Sequence, residues 1–263
     1  MKIRSLQAAI AMILGSAPGL AAETCNSTRD YVTTLEFLRS HKEFSVPEPE
    51  ARKIAGLVVL GCEGSAARFV RVTETLTRAG LGTKNAFELG IDLAARTDNE
   101  TEAFVAVFRS AFLEEYLDLD LASSISLARS LSIEFEGDVL GAREDFERVV
   151  AFCSSDKGLD LPKPQCAQLA ARIAGRGKAF SGGISDAFLS LFTFLRSEPG
   201  PRLATGPALA LAEELLAGGR GSADNFIQGY RYGISKSGLA LGTHDAVAFA
   251  KGLTIPKAPS KGK

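Results

Sequence analysis

The chain has 263 residues, 46% of them hydrophobic and 23% charged, which is enough apolar surface to bury a full core. Trp is absent, Tyr numbers 4, and Ala and Leu are abundant, a balance that favours helices over strands. The 30 basic residues meet 31 acidic ones, so the cationic surplus that a phosphate backbone demands is missing and no nucleic-acid partner is expected.

Residues 1–22 read as a secretory signal. Lys2 and Arg4 supply its positive start, Leu6 to Leu14 its apolar stretch and Gly15 to Ala22 a small-residue exit, with cleavage expected after Ala21 or Ala22. Ser16, Pro18 and Gly19 make the stretch too short and broken for a membrane span. Ala22, Glu23 and Thr24 ahead of Cys25 do not resemble a lipoprotein box, which disfavours a lipid anchor. Removing Lys2 and Arg4 leaves 28 basic against 31 acidic residues, a formal charge of −3. A periplasmic or secreted location follows, and in that oxidising setting Cys25, Cys62, Cys153 and Cys166 are expected to form two disulfides.

Residues 23–256 read as a single domain organised by an internal repeat. Tyr31, Phe69, Phe104, Phe146, Phe188 and Phe226 open six units that start near residues 27, 65, 100, 143, 185 and 223. Fifteen residues beyond five of these aromatics stands an aliphatic residue (Val46, Leu119, Leu161, Leu203 and Leu241), and the second unit reaches Leu81 after twelve. Eight and nine residues further on comes an apolar-small pair: Ile54-Ala55, Leu89-Gly90, Leu127-Ala128, Leu169-Ala170, Leu211-Ala212 and Phe249-Ala250.

Each unit therefore predicts a helix, a connector and a second helix. Apolar residues follow the aromatic at helical spacing, as in Phe188, Leu191, Phe192 and Leu195. Ser185-Asp186 and Ser222-Ala223-Asp224 offer caps for helix starts. Gly158 and Gly238 are expected to act as left-handed or helix-breaking residues in the connectors. The small residue of each pair marks a close approach of helix backbones. Residues 257–263 read as a disordered basic tail.

With this layout the sequence resembles the α-solenoids, the broad class that includes tetratricopeptide, HEAT and armadillo repeats. The Trp and Leu-Gly signature of tetratricopeptide units is absent, and most units exceed 34 residues, so HEAT-like length fits better. The resemblance spans roughly residues 27–256. It implies an all-α, right-handed-type solenoid of about six helix-turn-helix repeats that works by binding a protein or peptide.

The hairpins also choose among the three possible cysteine pairings. Cys25 ahead of the first helix and Cys62 at the end of the second should meet, and Cys153 and Cys166 flank the turn of the fourth unit.

No arrangement of residues predicts catalysis, a metal or a cofactor. His41 and His244 fall in connectors, are expected to be solvated and belong to no HExxH pattern. Ser154-Ser155-Asp156-Lys157 and Lys236-Ser237-Gly238 echo strings of penicillin-binding enzymes but sit in turns rather than on a buried helix and a strand. Asp118 and Asp120, with Glu114 and Glu115, lack the register of a calcium loop, and Leu117, Leu119 and Leu121 between them read as packed. Gly218-Gly219-Arg220-Gly221 has no preceding strand and no Lys-Ser/Thr pair, so it is a turn. Asn26-Ser27-Thr28 and Asn99-Glu100-Thr101 fit the glycosylation pattern and equally the start of a helix. The recurring aromatics are core, whereas Tyr230 and Tyr232 are free to join a binding surface. The chain is thus expected to be a non-enzymatic scaffold. A small-molecule or lipid carrier with an apolar groove between helix layers is the alternative, and an enzyme with a dispersed site comes third.

Overall fold

The computed structural model describes residues 27–153, 155, 158–159, 161–177 and 183–254. The expected leader, Cys25, Asn26, the tail 257–263 and, within the fourth turn, Ser154, Asp156 and Lys157 lie outside the described residues. Among the described residues the protein is all-helical, with no strand.

Among the described residues twelve α-helices follow one another: α1 (Thr28–Ser40), α2 (Glu48–Val58), α3 (Ser65–Arg78), α4 (Thr83–Ala94), α5 (Asp98–Phe112), α6 (Leu121–Ser130), α7 (Val139–Cys153), α8 (Lys163–Arg176), α9 (Ile184–Arg196), α10 (Thr205–Leu216), α11 (Arg220–Ile234) and α12 (Thr243–Thr254). Each odd-numbered helix packs on the even-numbered one that follows it. The odd helices also touch in unbroken succession, α1 on α3, α3 on α5, α5 on α7, α7 on α9 and α9 on α11. Beyond α4, the even helices make their main contacts with odd helices.

The anchors account for this packing. Phe69, Phe104, Phe146, Phe188 and Phe226 are fully buried in the odd helices, and Ala55, Ala128, Ala170, Ala212 and Ala250 are fully buried in the even ones. A Cβ on Gly90 would stand 2.6 Å from Thr73 Oγ1 and 3.0 Å from the Phe69 ring, so α4 approaches α3 as closely as a side-chain-free residue permits. The second pair faces two ways: Phe69 and Phe87 belong to the core of the first pair, Val72, Leu76, Leu89 and Leu93 to the core that runs on through the sixth.

The turns inside the pairs repeat in their hydrogen bonds. In the third pair Leu113 N–H donates to Arg109 O (3.0 Å), Asp118 N–H to Leu113 O (3.2 Å) and Leu119 N–H to Ala111 O (2.9 Å). In the sixth, Ser235 donates to Arg231 O (3.1 Å), Ala240 to Ser235 O (3.0 Å) and Leu241 to Gly233 O (2.8 Å). The fifth closes the same way, Leu203 N–H onto Leu195 O at 2.9 Å. The residue just before the aliphatic anchor is left-handed wherever it is described: Ser45 (φ 49°), Gly80 (φ 91°), Asp118 (φ 51°), Arg202 (φ 55°) and Ala240 (φ 49°).

This corrects the expectation for Gly238. The left-handed residue is Ala240, two positions later; Gly238 is needed because a Cβ there would run into the Tyr232 carbonyl.

Ser27, within the Asn26-Ser27-Thr28 triplet, caps α1 as expected, its Oγ accepting from Asp30 N–H at 3.1 Å, and α5 is capped from just ahead of Asn99-Glu100-Thr101, where Thr97 forms a capping box with Glu100. Two other caps differ from expectation. Ser185 and Ser222 cap nothing, because α9 and α11 start from Gly183 and Gly219, which offer no side chain.

Neighbouring pairs are joined by polar side chains one position ahead of the anchor aromatic. Asp30 Oδ1 accepts from Ala66 N–H (3.4 Å), and Asp145 Oδ1 accepts from Ser185 N–H (3.0 Å) and Ser185 Oγ–H (2.6 Å). Both carboxylates thus reach the first turn of a helix, α3 or α9, whose own N-cap glycine supplies no acceptor. Arg68 fills the same position in the second pair and donates to Ala94 O (3.2 Å), Gly61 O (2.9 Å) and Asp98 Oδ1 (2.7 Å), binding the first three pairs together.

Candidate functional site

The chemistry-bearing residues do not converge. Among the described residues no group of His, Cys, Asp and Glu could hold a metal ion. His244 is almost wholly exposed, beside Asp245. His41 departs from the expectation of a solvated ring: it is half-buried, stacked on Phe44 with ring centroids 5.3 Å apart, 4.4 Å from the Phe37 ring, with Nδ1 2.9 Å from Phe37 O. It packs the first turn.

Asp120 caps α6, its carboxylate accepting from Ser123 Oγ–H (2.6 Å) and Ser123 N–H (2.9 Å), bonds that hold its pKa below the usual range. Asp118 lies 3.9 Å from Lys163 Nζ, and Leu117, just ahead of it in sequence, is buried in the core. Lys236 and Ser237 are exposed on the sixth turn, and Gly219 marks the start of α11.

Cys153 and Cys166 are disulfide-bonded with Cα atoms 6.1 Å apart, closing the turn between α7 and α8. Cys62 is disulfide-bonded as well, although its expected partner Cys25 is not among the described residues. Cys153 and Cys166 staple α7 to α8. They are not free nucleophiles.

Two surface grooves flank α6. This helix reads LASSISLARS, and its outward positions are Ala122, Ser123, Ser126 and Ser130, all small. Its buried positions, Ser124 and Ala128, are equally small, so α6 can lie close against α5. On one side a groove of 680 Å³ runs between α4 and α6 over Leu81, Leu89, Leu121 and Ile125, bordered by Asn85, Glu88, Asp92, Arg129 and Glu134. On the other, 510 Å³ lies between α6 and α8 over Leu119, Leu127, Pro164, Ala167 and Ala171, with Ser123, Ser130 and Gln168 as polar groups and no charge. Ala122 and Ser126 line both. The two hollows therefore meet over a ridge no taller than a serine.

The charged groove carries three carboxylates and one cation. Arg129 stands 3.5 Å from Glu134 and 3.9 Å from Asp92, while Glu88 is exposed and without an ion pair among the described residues. Its potential is negative, above an aliphatic floor.

No known family, curated protein or solved structure matches the chain.

The sequence pointed to no residue of either groove, and the grooves explain why. They arise where small residues of α6 stand beside those of α4 on one side and α8 on the other, a juxtaposition that no local motif carries. The four serines of α6 were the available signal, because serine weakens a helix interior and is there tolerated for its size. Of the two tyrosines nominated for a surface, Tyr230 is fully buried against Phe194 and Phe226, whereas Tyr232 is 54% exposed.

Proposed function

We propose that the chain is an exported scaffold of six stacked helical hairpins, a right-handed-type α-solenoid, that binds a protein or peptide in the cell envelope along the trough over α6. The observation that carries this reading is the pair of open grooves sharing Ala122 and Ser126, one acidic above an apolar floor and the other uncharged. An extended or helical segment laid across them would bury aliphatic side chains on Leu89 and Ile125 and set a Lys or Arg against Glu88 and Asp92. The succession of odd-helix contacts and the recurrent turn support the stacked-hairpin reading.

The carrier reading has less support. Such a protein needs a cavity between its helix layers, whereas Phe104, Phe108, Phe188 and Phe192 are fully or almost fully buried and pack ring against ring, and neither groove is lined by a Phe. An enzymatic reading has no observation in its favour among the described residues.

A photo-crosslinker placed at Ser126, in the protein exported into its own envelope, tests the proposal. One stoichiometric polypeptide should be captured, and Ile125→Lys, which puts a charge into the apolar floor, should abolish capture while helical circular dichroism is retained. Crosslinks to lipid alone would reject a scaffold in favour of a carrier.

A further inference from the structure

The groove between α4 and α6 is graded along its length. Leu81 just ahead of α4 and Leu121 at the start of α6 line one end, and Leu89 and Ile125 continue the floor. At the other end Asp92 and Arg129, each in the last turn of its helix, lie 3.9 Å apart, so the two helices run side by side in the same direction. From Leu81 to Asp92 the helical rise is roughly 16 Å, the length of about five extended residues or three turns of helix.

Negative charge gathers toward the second end. Beyond Asn85 the lining holds Glu88, Asp92 and Glu134 against the single guanidinium of Arg129. Arg129 is divided between Asp92 (3.9 Å) and Glu134 (3.5 Å), and Arg96, outside the lining, is divided between Asp92 (3.8 Å) and Glu100 (3.8 Å). Glu88 is exposed and without an ion pair among the described residues; Lys84, a turn before it on α4, also lies outside the lining. The last carbonyls of α4 and α6, which end at Ala94 and Ser130, add the negative ends of two helix dipoles at the same place.

We propose that this groove takes a partner segment that is basic at one end and aliphatic at the other. Its Lys or Arg side chains lie at Glu88, Asp92 and Glu134, and its apolar side chains over Leu81 and Leu121. The inference rests on the binding reading proposed above and adds the charge of the occupant and the order of its residues. An acidic segment, or a lipid carrying a phosphate, meets the carboxylates and the helix ends as like charges. A wholly apolar segment would cover the three carboxylates and leave them unpaired. Cations spread along the whole segment would bring one over Leu81 and Leu121, where no carboxylate answers it.

Fluorescence anisotropy with the disulfide-intact chain and three labelled twelve-residue peptides tests this. In the first, three lysines stand together at one end of a Leu/Ala stretch. The second spreads the same lysines evenly, and the third has glutamates in place of the lysines of the first. The first is expected to bind at least about 10-fold tighter than the second, with an affinity that falls as salt is raised, and the third should not bind. Glu88→Lys reverses a charge that no ion pair among the described residues uses. It should weaken the first peptide at least about 10-fold with helical circular dichroism unchanged. Glu36→Lys, an equal change of charge on the exposed surface of α1, should leave the affinity as it was. Equal binding of the first two peptides, binding of the glutamate peptide, no binding of any, or an affinity indifferent to Glu88→Lys overturns the assignment. So does binding that appears only once residues 257–263 are removed, which would give the groove to the chain's own basic tail. The broader binding reading survives each of these results as long as the crosslinker at Ser126 captures a polypeptide, and falls if that capture fails.

Discussion

At the scale of single residues, the joints between pairs rest on a few buried polar groups. Asp145 is 2% exposed and spends one oxygen on the amide and hydroxyl of Ser185, while its other oxygen has no hydrogen-bond partner. Removing the carboxylate would leave a buried amide and hydroxyl at the start of α9 without their acceptor. Asp145→Ala is therefore expected to cost about 2 kcal/mol in urea unfolding, with Ser185→Ala costing less because the amide bond survives. Equal losses in the two variants would mean that the hydroxyl alone matters. The sequence concealed this joint for a physical reason: Ala103 and Ala187 occupy the same register position in other pairs, so no pattern marks it as polar.

At the scale of elements, the first pair shows how a turn is held from outside. Arg39 at the end of α1 and Arg52 in α2 both reach Glu48, at 2.5 Å and 2.8 Å. Hydrogen bonding to Arg39 first, and to Arg52 second, pulls the Glu48 pKa down to about 2. A carboxyl depressed in the folded state contributes stability that is complete above its unfolded pKa, roughly 4.3, and is lost as pH falls toward the folded value. Amide protection of α1 and α2 should accordingly decline between about pH 4.5 and 2, and Glu48→Gln should flatten that decline. The group is solvent-exposed, so the effect should shrink in high salt.

The turns carry the lesson about what a sequence reveals. The aliphatic anchors were legible because Leu119, Leu203 and Leu241 recur at fixed spacing and their side chains pack. The left-handed residue before each was not, because Asp118, Arg202 and Ala240 share no side-chain chemistry and sit in a turn whose backbone hydrogen bonds recur whatever the side chain. Gly238 looked like the breaker because glycine tolerates that conformation, yet its role is to admit a carbonyl.

For the whole molecule, the six anchors and the order of helices could be read from periodicity, since each unit repeats the same burial problem. The grooves could not. They are relations between units, and form only where α6 lies between α4 and α8. A stack of hairpins in which each pair touches mainly its neighbours should also lose structure locally, since a defect in one pair weakens adjoining interfaces and leaves distant ones intact.

Native-state hydrogen exchange on an Ile54→Ala variant tests that organisation most directly. Ile54 is buried in α2, and its truncation should cost roughly 2–4 kcal/mol. The stacked-hairpin account predicts that protection falls in α1 to α4 and persists in α9 to α12. An equal loss of protection in all twelve helices would contradict it.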